Sequence, residues 1–291
     1  MRQVSYLIRK KFKQYWPMIK SLQTLLLLIT GLAGFMSSRC PWLNPLALLN
    51  VAGSLTLAIS GSTVLNMWYD RDIDAKMQRT HWRPLPSGEV SPRKALILGL
   101  LLSAAGIGWA SGMDLLYGGI VFAGLFFDVV VYTFWLKRKT AWSIIWGGIA
   151  GGMPVLAGRA LGAGGIDWIG IMLMMAVLFW IPTHILTFSI KYHKDYQNAG
   201  VPTFPAYYGF ENTRKIIALA SLLTAAAMGA AAFGISIGMG GVRLLIVLSI
   251  GLCFLSIGSL IHPTEKLNFG LFKYASLYML TAMILIAVVI F

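Results

Sequence analysis

The feature that most constrains this chain is a series of apolar runs, each about 20 residues long, separated by short polar segments. Runs of this length cross the hydrocarbon core of a bilayer as α-helices, because a helix satisfies all of its own backbone hydrogen bonds. They lack the strict alternation of apolar and polar residues that is typical of outer-membrane barrels. Only 12% of the residues are charged. The sequence therefore predicts an all-α polytopic membrane protein.

The runs predict nine transmembrane helices in a single domain over residues 1–291. Their approximate bounds are 17–37, 45–68, 92–112, 115–136, 141–160, 167–190, 213–236, 242–262 and 270–290. This topology places every lysine and arginine on one side except Arg39, Arg159 and Arg243. Because basic loops stay in the cytosol, the N-terminus and two long loops, at about 66–94 and 191–214, are expected there. A basic start followed by a full-length span favours the plasma membrane over a secreted product.

The formal net charge of +14 raises the question of a nucleic-acid partner. The basic residues lie in the loops between spans, which is typical of membrane topology and not of a nucleic-acid-binding surface. The two cysteines, Cys40 and Cys253, lie far apart in a loop and a span. They indicate neither a disulfide framework nor a metal site. We therefore expect a lipid bilayer as the surroundings and no nucleic acid as a partner.

The first cytosolic loop carries the strongest candidate site. Asn66, Asp70 and Asp74 recur every four residues and form a stripe along one side of a helix. Oxygen ligands of this kind suit Mg²⁺, which is commonly held by one or two carboxylates together with substrate phosphates. Arg79 and Arg83 follow and are expected to bind phosphate oxygens. The alternative is a solvated, charged loop without a ligand.

The second cytosolic loop supplies one acid, Asp195, next to Lys194. If spans two and six end side by side, Asp195 faces the first stripe and helps to hold Mg²⁺ with a bridging diphosphate. Arg83, Lys137 and Lys194 then neutralise the remaining phosphate charge. The alternative is that Asp195 only balances the lysines beside it.

Two further ionisable residues lie within predicted spans. His184 precedes Asp195 by about three helical turns, which places it roughly 16 Å deeper on the same face. Asp128 lies in span four, with Tyr132 one turn further on. An ionisable residue inside a membrane is a functional hypothesis by default. The alternative for each is a structural hydrogen bond to a neighbouring helix, and for Asp128 this alternative is slightly favoured.

The first loop reads NMWYDRDIDAKMQRTHWRPLPSG from residue 66 to 88. It resembles the first motif of the UbiA-type intramembrane prenyltransferases, and in detail that of the heme O synthase branch, the protoheme IX farnesyltransferases. Other segments agree with this resemblance along nearly the whole chain. They are YWPMIKSLQTLLLLITGLAGF, VVVYTFWLKRKT, DYQNAGVPTFP and LFKYASLYML.

The resemblance implies nine helices around a central cavity, and Mg²⁺-assisted transfer of a farnesyl group from farnesyl diphosphate to a vinyl group of heme b. Addition of water then gives heme O, which a downstream heme A synthase is expected to use. By the match, Asn66, Asp70, Asp74 and Asp195 belong to the metal and diphosphate motifs. Arg83 and Lys137 contact diphosphate. His184 is a candidate heme contact.

This chain departs from the family pattern at two positions. A single acid, Asp195, stands between Tyr192 and Tyr196 where other members carry two or more, which leaves the number of metal ions open. The string Pro182-Thr183-His184 replaces Pro-Pro-His. Three alternatives remain: a prenyltransferase acting on a quinone precursor or archaeal lipid head group, a transporter, and a scaffold subunit of a respiratory complex.

Overall fold

The computed structural model describes residues 14–38 and 44–288, and within these ranges all regular secondary structure is helical. The basic residues before position 14, and Arg39 and Cys40, lie outside the described residues. A short 3₁₀ turn, Trp16–Ile19, precedes the first helix. The helices are α1 (Ser21–Met36), α2 (Pro45–Tyr69), α3 (Arg71–Lys76), α4 (Pro92–Met113), α5 (Leu115–Leu136), α6 (Ser143–Ala163), α7 (Trp168–Lys191), α8 (His193–Asn198), α9 (Phe204–Ile235), α10 (Met239–Ile261) and α11 (Glu265–Val288).

The prediction of an all-α membrane protein is confirmed. Eight of the described helices are long and apolar enough to span a bilayer, and α1 is a shorter apolar helix of 16 residues. Together they correspond to the nine predicted spans. The remaining helices, α3 and α8, have six residues each and lie in the two motif loops.

The predicted bounds differ most at α9, which begins at Phe204 and not near position 213. Its first turn carries Pro205, which suits the start of a helix because proline needs no backbone donor there. The helix bends at Gly209, whose φ of 78° and ψ of 166° are non-helical. The polar residues that follow the bend lower the local hydropathy, so the apolar pattern alone misses this part.

Helices α1 and α6 approach each other closely through glycines. A Cβ atom on Gly34 would lie 2.1 Å from the carbonyl oxygen of Val155, and one on Gly158 would lie 2.0 Å from that of Gly31. Small residues at such positions let two membrane helices pack backbone against backbone. Beyond this contact, the buried Arg159 guanidinium pairs with Asp167 at 2.6 Å and donates to the carbonyl of Ser37. The ends of α1 and α6 and the start of α7 are thereby joined.

We expect Gly158→Ala to lower the free energy of unfolding by ~1–3 kcal/mol, because the added methyl group must push α1 and α6 apart. Gly229→Ala in α9 is the matched control, since a Cβ atom there meets nothing within 4 Å. Denaturant titration in detergent micelles measures both. Equal stability of the two variants would contradict close α1–α6 packing.

Candidate functional site

The second half of α5 is a π-helix, Phe126–Leu136, and it holds Asn66 from both sides. The Asn66 amide donates to Asp128 Oδ2 at 2.8 Å, and Thr133 Oγ1 donates to Asn66 Oδ1 at 2.8 Å. Ser62, one turn earlier in α2, donates to the same Asp128 oxygen at 2.5 Å. Asp128 therefore makes a polar contact that orients Asn66.

The π-helix explains why Asp128 acts together with Thr133, although the predicted span places Tyr132 one turn after Asp128. A π-helix bonds each residue to the fifth along the chain, so residues five apart come onto one side. Asp128 and Thr133 are spaced in this way, whereas α-helical spacing would pair Asp128 with Tyr132. The same geometry brings Lys137 back over Tyr132, with its ammonium 5.6 Å from the ring centre. The signal for a π-helix is not visible in the apolar pattern.

Asp70 and Asp74 are both buried, and each is paired with a cation. The Lys137 ammonium is hydrogen-bonded to Asp70, and the Arg83 guanidinium lies 2.7 Å from Asp74. Burial lowers the pKa of Lys137, but the Asp70 carboxylate, together with Tyr132 and Tyr196, more than reverses this effect, so the pKa lies above its usual value. Four of the predicted site residues thus form two adjacent ion pairs at one end of the bundle, which we call the motif face.

Lys20 also belongs to this charged group, although the sequence indicated it only as a basic residue at the entrance of the first span. Burial, then the charges of Arg83 and Lys137, lower its pKa to about 8, while Asp70 and Asp74 oppose the shift. Lys20 adopts a left-handed backbone conformation with φ 44°, which is uncommon outside glycine. A lysine at the start of an apolar helix is too common a pattern to mark a site.

The segment that follows the second motif packs against the first-motif loop. Ile73 and Met77 of the first loop pack in one apolar cluster with Ala199 and Val201, which follow α8. Within the part of the chain that the structure describes, however, no ion pair joins Asp195 or Lys194 to a charged residue of the first motif. Across residues 14–38 and 44–288, no three His, Cys, Asp or Glu side chains form a metal-binding cluster. The position of Asp195 among metal ligands stays a prediction.

Arg79 lies apart from the two ion pairs. Its guanidinium packs over the rings of Phe188 and Tyr192, at 4.9 and 5.7 Å from their centres. These rings belong to the end of α7, so Arg79 links the first loop to that helix. Its role in phosphate binding stays a prediction.

His184 lies in the seam between α7 and α11. Its Nδ1 is 3.1 Å from Ser276 Oγ, and its ring stacks on Trp180 and Phe272 with centroid distances of 4.8 and 4.5 Å. The hydrogen bond to a neighbouring helix that sequence reasoning left open is therefore present.

A separate apolar groove of about 640 Å³ lies between α9 and α10. Residues such as Phe233, Ile250 and Phe254 line it, and no charged side chain does. Because these helices are apolar spans, the groove is suited to lipid contact and not to charged ligands.

The oxygen atoms of the first motif fit a hard divalent cation. Asp70 Oδ1 is buried and has no hydrogen-bond partner, and Asn66 Oδ1 and the Asp74 carboxylate lie on the same stripe of α2 and α3. Carboxylate and amide oxygens are the ligands that Mg²⁺ prefers. The adjacent Lys20, Arg83 and Lys137 supply the charges that would bind a phosphate-containing ligand.

We expect Lys137→Met to lower the free energy of unfolding by about 3–5 kcal/mol, because it leaves the buried Asp70 carboxylate unpaired. Arg138→Met is the matched control. Arg138 pairs with the exposed Asp72, and such pairs contribute below about 1 kcal/mol. Adding Asp70→Asn to Lys137→Met should restore stability. Denaturant titration measures the free energy of unfolding of each variant. An equally small loss in Lys137→Met and Arg138→Met would contradict the buried pairing.

Comparison with known proteins adds the family context. Residues 27–277 match the model of the UbiA prenyltransferase family. The chain is 43% identical over 204 residues to a protoheme IX farnesyltransferase of Korarchaeum cryptofilum, covering 70% of this chain and 69% of that protein. It is 41% identical over 212 residues to one of Archaeoglobus fulgidus, covering 73% and 74%.

Two solved structures share the fold. A digeranylgeranylglyceryl phosphate synthase has a TM-score of 0.80 at 18% identity, and the match covers 97% of this chain and 99% of the synthase chain. A UbiA homologue from Archaeoglobus fulgidus, bound to GPP and Mg²⁺, has a TM-score of 0.70 at 17% identity, covering 94% and 99%. At these identities the likeness concerns the fold alone.

Proposed function

The chain belongs to the UbiA prenyltransferase family, and from that premise we propose that it transfers the farnesyl group of farnesyl diphosphate to a vinyl group of heme b, with addition of water, to give heme O. The observation that carries the proposal is the pair of buried carboxylates, Asp70 and Asp74, set against Lys137 and Arg83. Relatives named protoheme IX farnesyltransferase, at about 40% identity, support heme as the acceptor. A downstream heme A synthase would use the product.

The motif face supplies both kinds of charge that an allylic diphosphate requires. Asn66, Asp70, Asp74 and Asp195 would hold Mg²⁺, which when bound stabilises the negative charge of the diphosphate leaving group. Lys20, Arg83 and Lys137 donate hydrogen bonds to phosphate oxygens. Arg79 and Lys194 add further positive charge for the diphosphate. The preorganised cations lower the barrier because they need no reorientation as charge develops.

The bond changes of the transfer are simple to follow. The bond between C1 of the farnesyl group and the diphosphate oxygen breaks, and diphosphate leaves with the electron pair. The terminal vinyl carbon of heme b bonds to C1, and water adds to the resulting cation and loses a proton. The surrounding helices keep water from the first allylic cation, and His184 contacts the heme.

We also propose the location of the site. The chain forms one transmembrane domain over residues 1–291, and this domain lies in the plasma membrane. The motif face, with loops 66–94 and 191–214, lies in the cytosol, because the basic residues concentrate there.

The central test is turnover by the purified protein in lipid nanodiscs with heme b, farnesyl diphosphate and Mg²⁺. We expect mass spectrometry to find a porphyrin heavier by one farnesyl group plus water, and EDTA to stop its formation. A rate that EDTA leaves unchanged would remove the metal from the proposal. Unmodified heme, together with prenylation of a quinone precursor or a glyceryl phosphate lipid, would show that the acceptor is wrong while the diphosphate site stands.

The second test concerns Lys20. We expect Lys20→Gln to raise the KM for farnesyl diphosphate about tenfold, because one charge-assisted hydrogen bond to phosphate is lost. The KM for heme b should stay unchanged. Lys94→Gln, an exposed lysine on the same face, is the control and should behave like the unaltered protein. Equal KM values for the two variants would exclude Lys20 from diphosphate binding.

A further inference from the structure

The seam between α7 and α11 carries a continuous row of aromatic rings, which we call the aromatic strip. The ring centroid of Phe272 lies 5.7 Å from that of Phe188, 4.5 Å from that of His184 and 5.7 Å from that of Phe269. Its members are Trp180, His184 and Phe188 of α7, and Phe269 and Phe272 of α11. All five are partly exposed along the seam. Because neighbouring rings of the strip stack on each other's faces, the strip offers a row of largely apolar ring edges to a ligand.

Ser276 determines which nitrogen of His184 is free. Its hydroxyl lies 3.0 Å from the carbonyl oxygen of Phe272 and 3.1 Å from His184 Nδ1. One hydroxyl proton serves both contacts only if it goes to the carbonyl, in which case Nδ1–H donates to Ser276 Oγ. The lone pair then lies on Nε2. A histidine whose Nδ1–H is fixed in this way is the usual form of a metal ligand.

Two lysines flank the outer end of the aromatic strip. The Lys191 ammonium lies 3.5 Å from the centre of the Phe269 ring, and that of Lys273 lies 4.8 Å from it. Neither forms an ion pair with a carboxylate of the described residues. Lys191 follows His184 on the same face of α7 at a rise of about 10 Å. That distance is comparable to the one between the centre of a porphyrin and its propionate carboxylates.

We propose that the aromatic strip, with Ser276, Lys191 and Lys273, binds an iron porphyrin dicarboxylate. His184 Nε2 ligates the iron, Ser276 is the positioning residue for the imidazole, and the two ammonium groups bind the two carboxylates. This inference rests on the proposed function for the identity of the acceptor and adds the residues that recognise it.

The aromatic strip also contacts the first-motif loop. The Arg79 guanidinium of the first loop lies 4.9 Å from the centre of the Phe188 ring. A porphyrin on the strip would therefore lie beside the first-motif loop. Deeper in the membrane, Trp180 borders a narrow apolar cleft with Leu27 and Met283, between α1, α7 and α11. A charged loop on one side and an apolar cleft on the other suit a ligand that is charged at one edge and apolar elsewhere.

The test measures binding of ferric heme b to the protein in nanodiscs, without farnesyl diphosphate. We expect His184→Gln to remove the axial nitrogen signature from the Soret and electron paramagnetic resonance spectra. Ser276→Ala should shift these spectra, and Ser276→Thr should restore them, because threonine keeps the hydroxyl. The double variant Lys191→Gln/Lys273→Gln should raise the Kd for heme b at least tenfold. Lys266→Gln, exposed at the start of α11, is the matched control and should bind heme b normally.

Heme b dimethyl ester separates charge recognition from packing. Its carboxylates are blocked, so the unaltered protein and the lysine double variant should bind it equally. Binding of farnesyl diphosphate, unchanged in every variant, reports that the protein is folded. Formation of heme O by the unaltered protein, together with normal heme spectra and affinity in all strip variants, would overturn this inference alone. Failure of the unaltered protein to bind heme b would overturn the proposed function with it.

Discussion

Two buried carboxylates, one at the junction of α2 and α3 and one in α3, determine how the motif face is built. Asp70 and Asp74 each need a positive partner, because an unpaired charge in a low-dielectric site is strongly unfavourable. Lys137 comes from the end of α5, and Arg83 returns from the loop after α3. Pairing therefore joins three separate segments of the chain. It also places cations within reach of any phosphate that binds beside the acids, so the stability of this face and its chemistry depend on the same contacts.

The π-helical half of α5 allows this arrangement to form. An α-helix would turn Thr133 well away from Asp128, and Asn66 could then be held from one side only. With π geometry, both side chains reach Asn66, and Lys137 is carried back towards Asp70. The wider turn fixes the orientation of the Asn66 amide, whose oxygen belongs to the proposed metal site. A local departure from regular helix thus supports the site and not the span.

The sequence predicted the parts of the fold that depend on average hydropathy and on local spacing. The apolar runs gave the membrane helices, and the four-residue recurrence of Asn66, Asp70 and Asp74 gave the acidic stripe. It did not predict the start of α9 at Phe204, because polar residues after the Gly209 bend hide the helix. It also missed Lys20 and Ser276. Their significance depends on which distant residues the packing brings beside them, and neither carries a local pattern.

The positive charge of the chain serves two purposes if both proposals hold. Basic residues fix the orientation of a membrane protein, and the predicted topology puts most lysines and arginines of this chain on the side of the two motif loops. Both proposed substrates are apolar molecules with an anionic end, a diphosphate in one and two carboxylates in the other. Each would place its apolar body among the helices and its charges among lysines and arginines of that face. Lys20, Arg83 and Lys137 would bind one, and Lys191 and Lys273 the other. Topology and substrate orientation would then follow from the same asymmetry of charge.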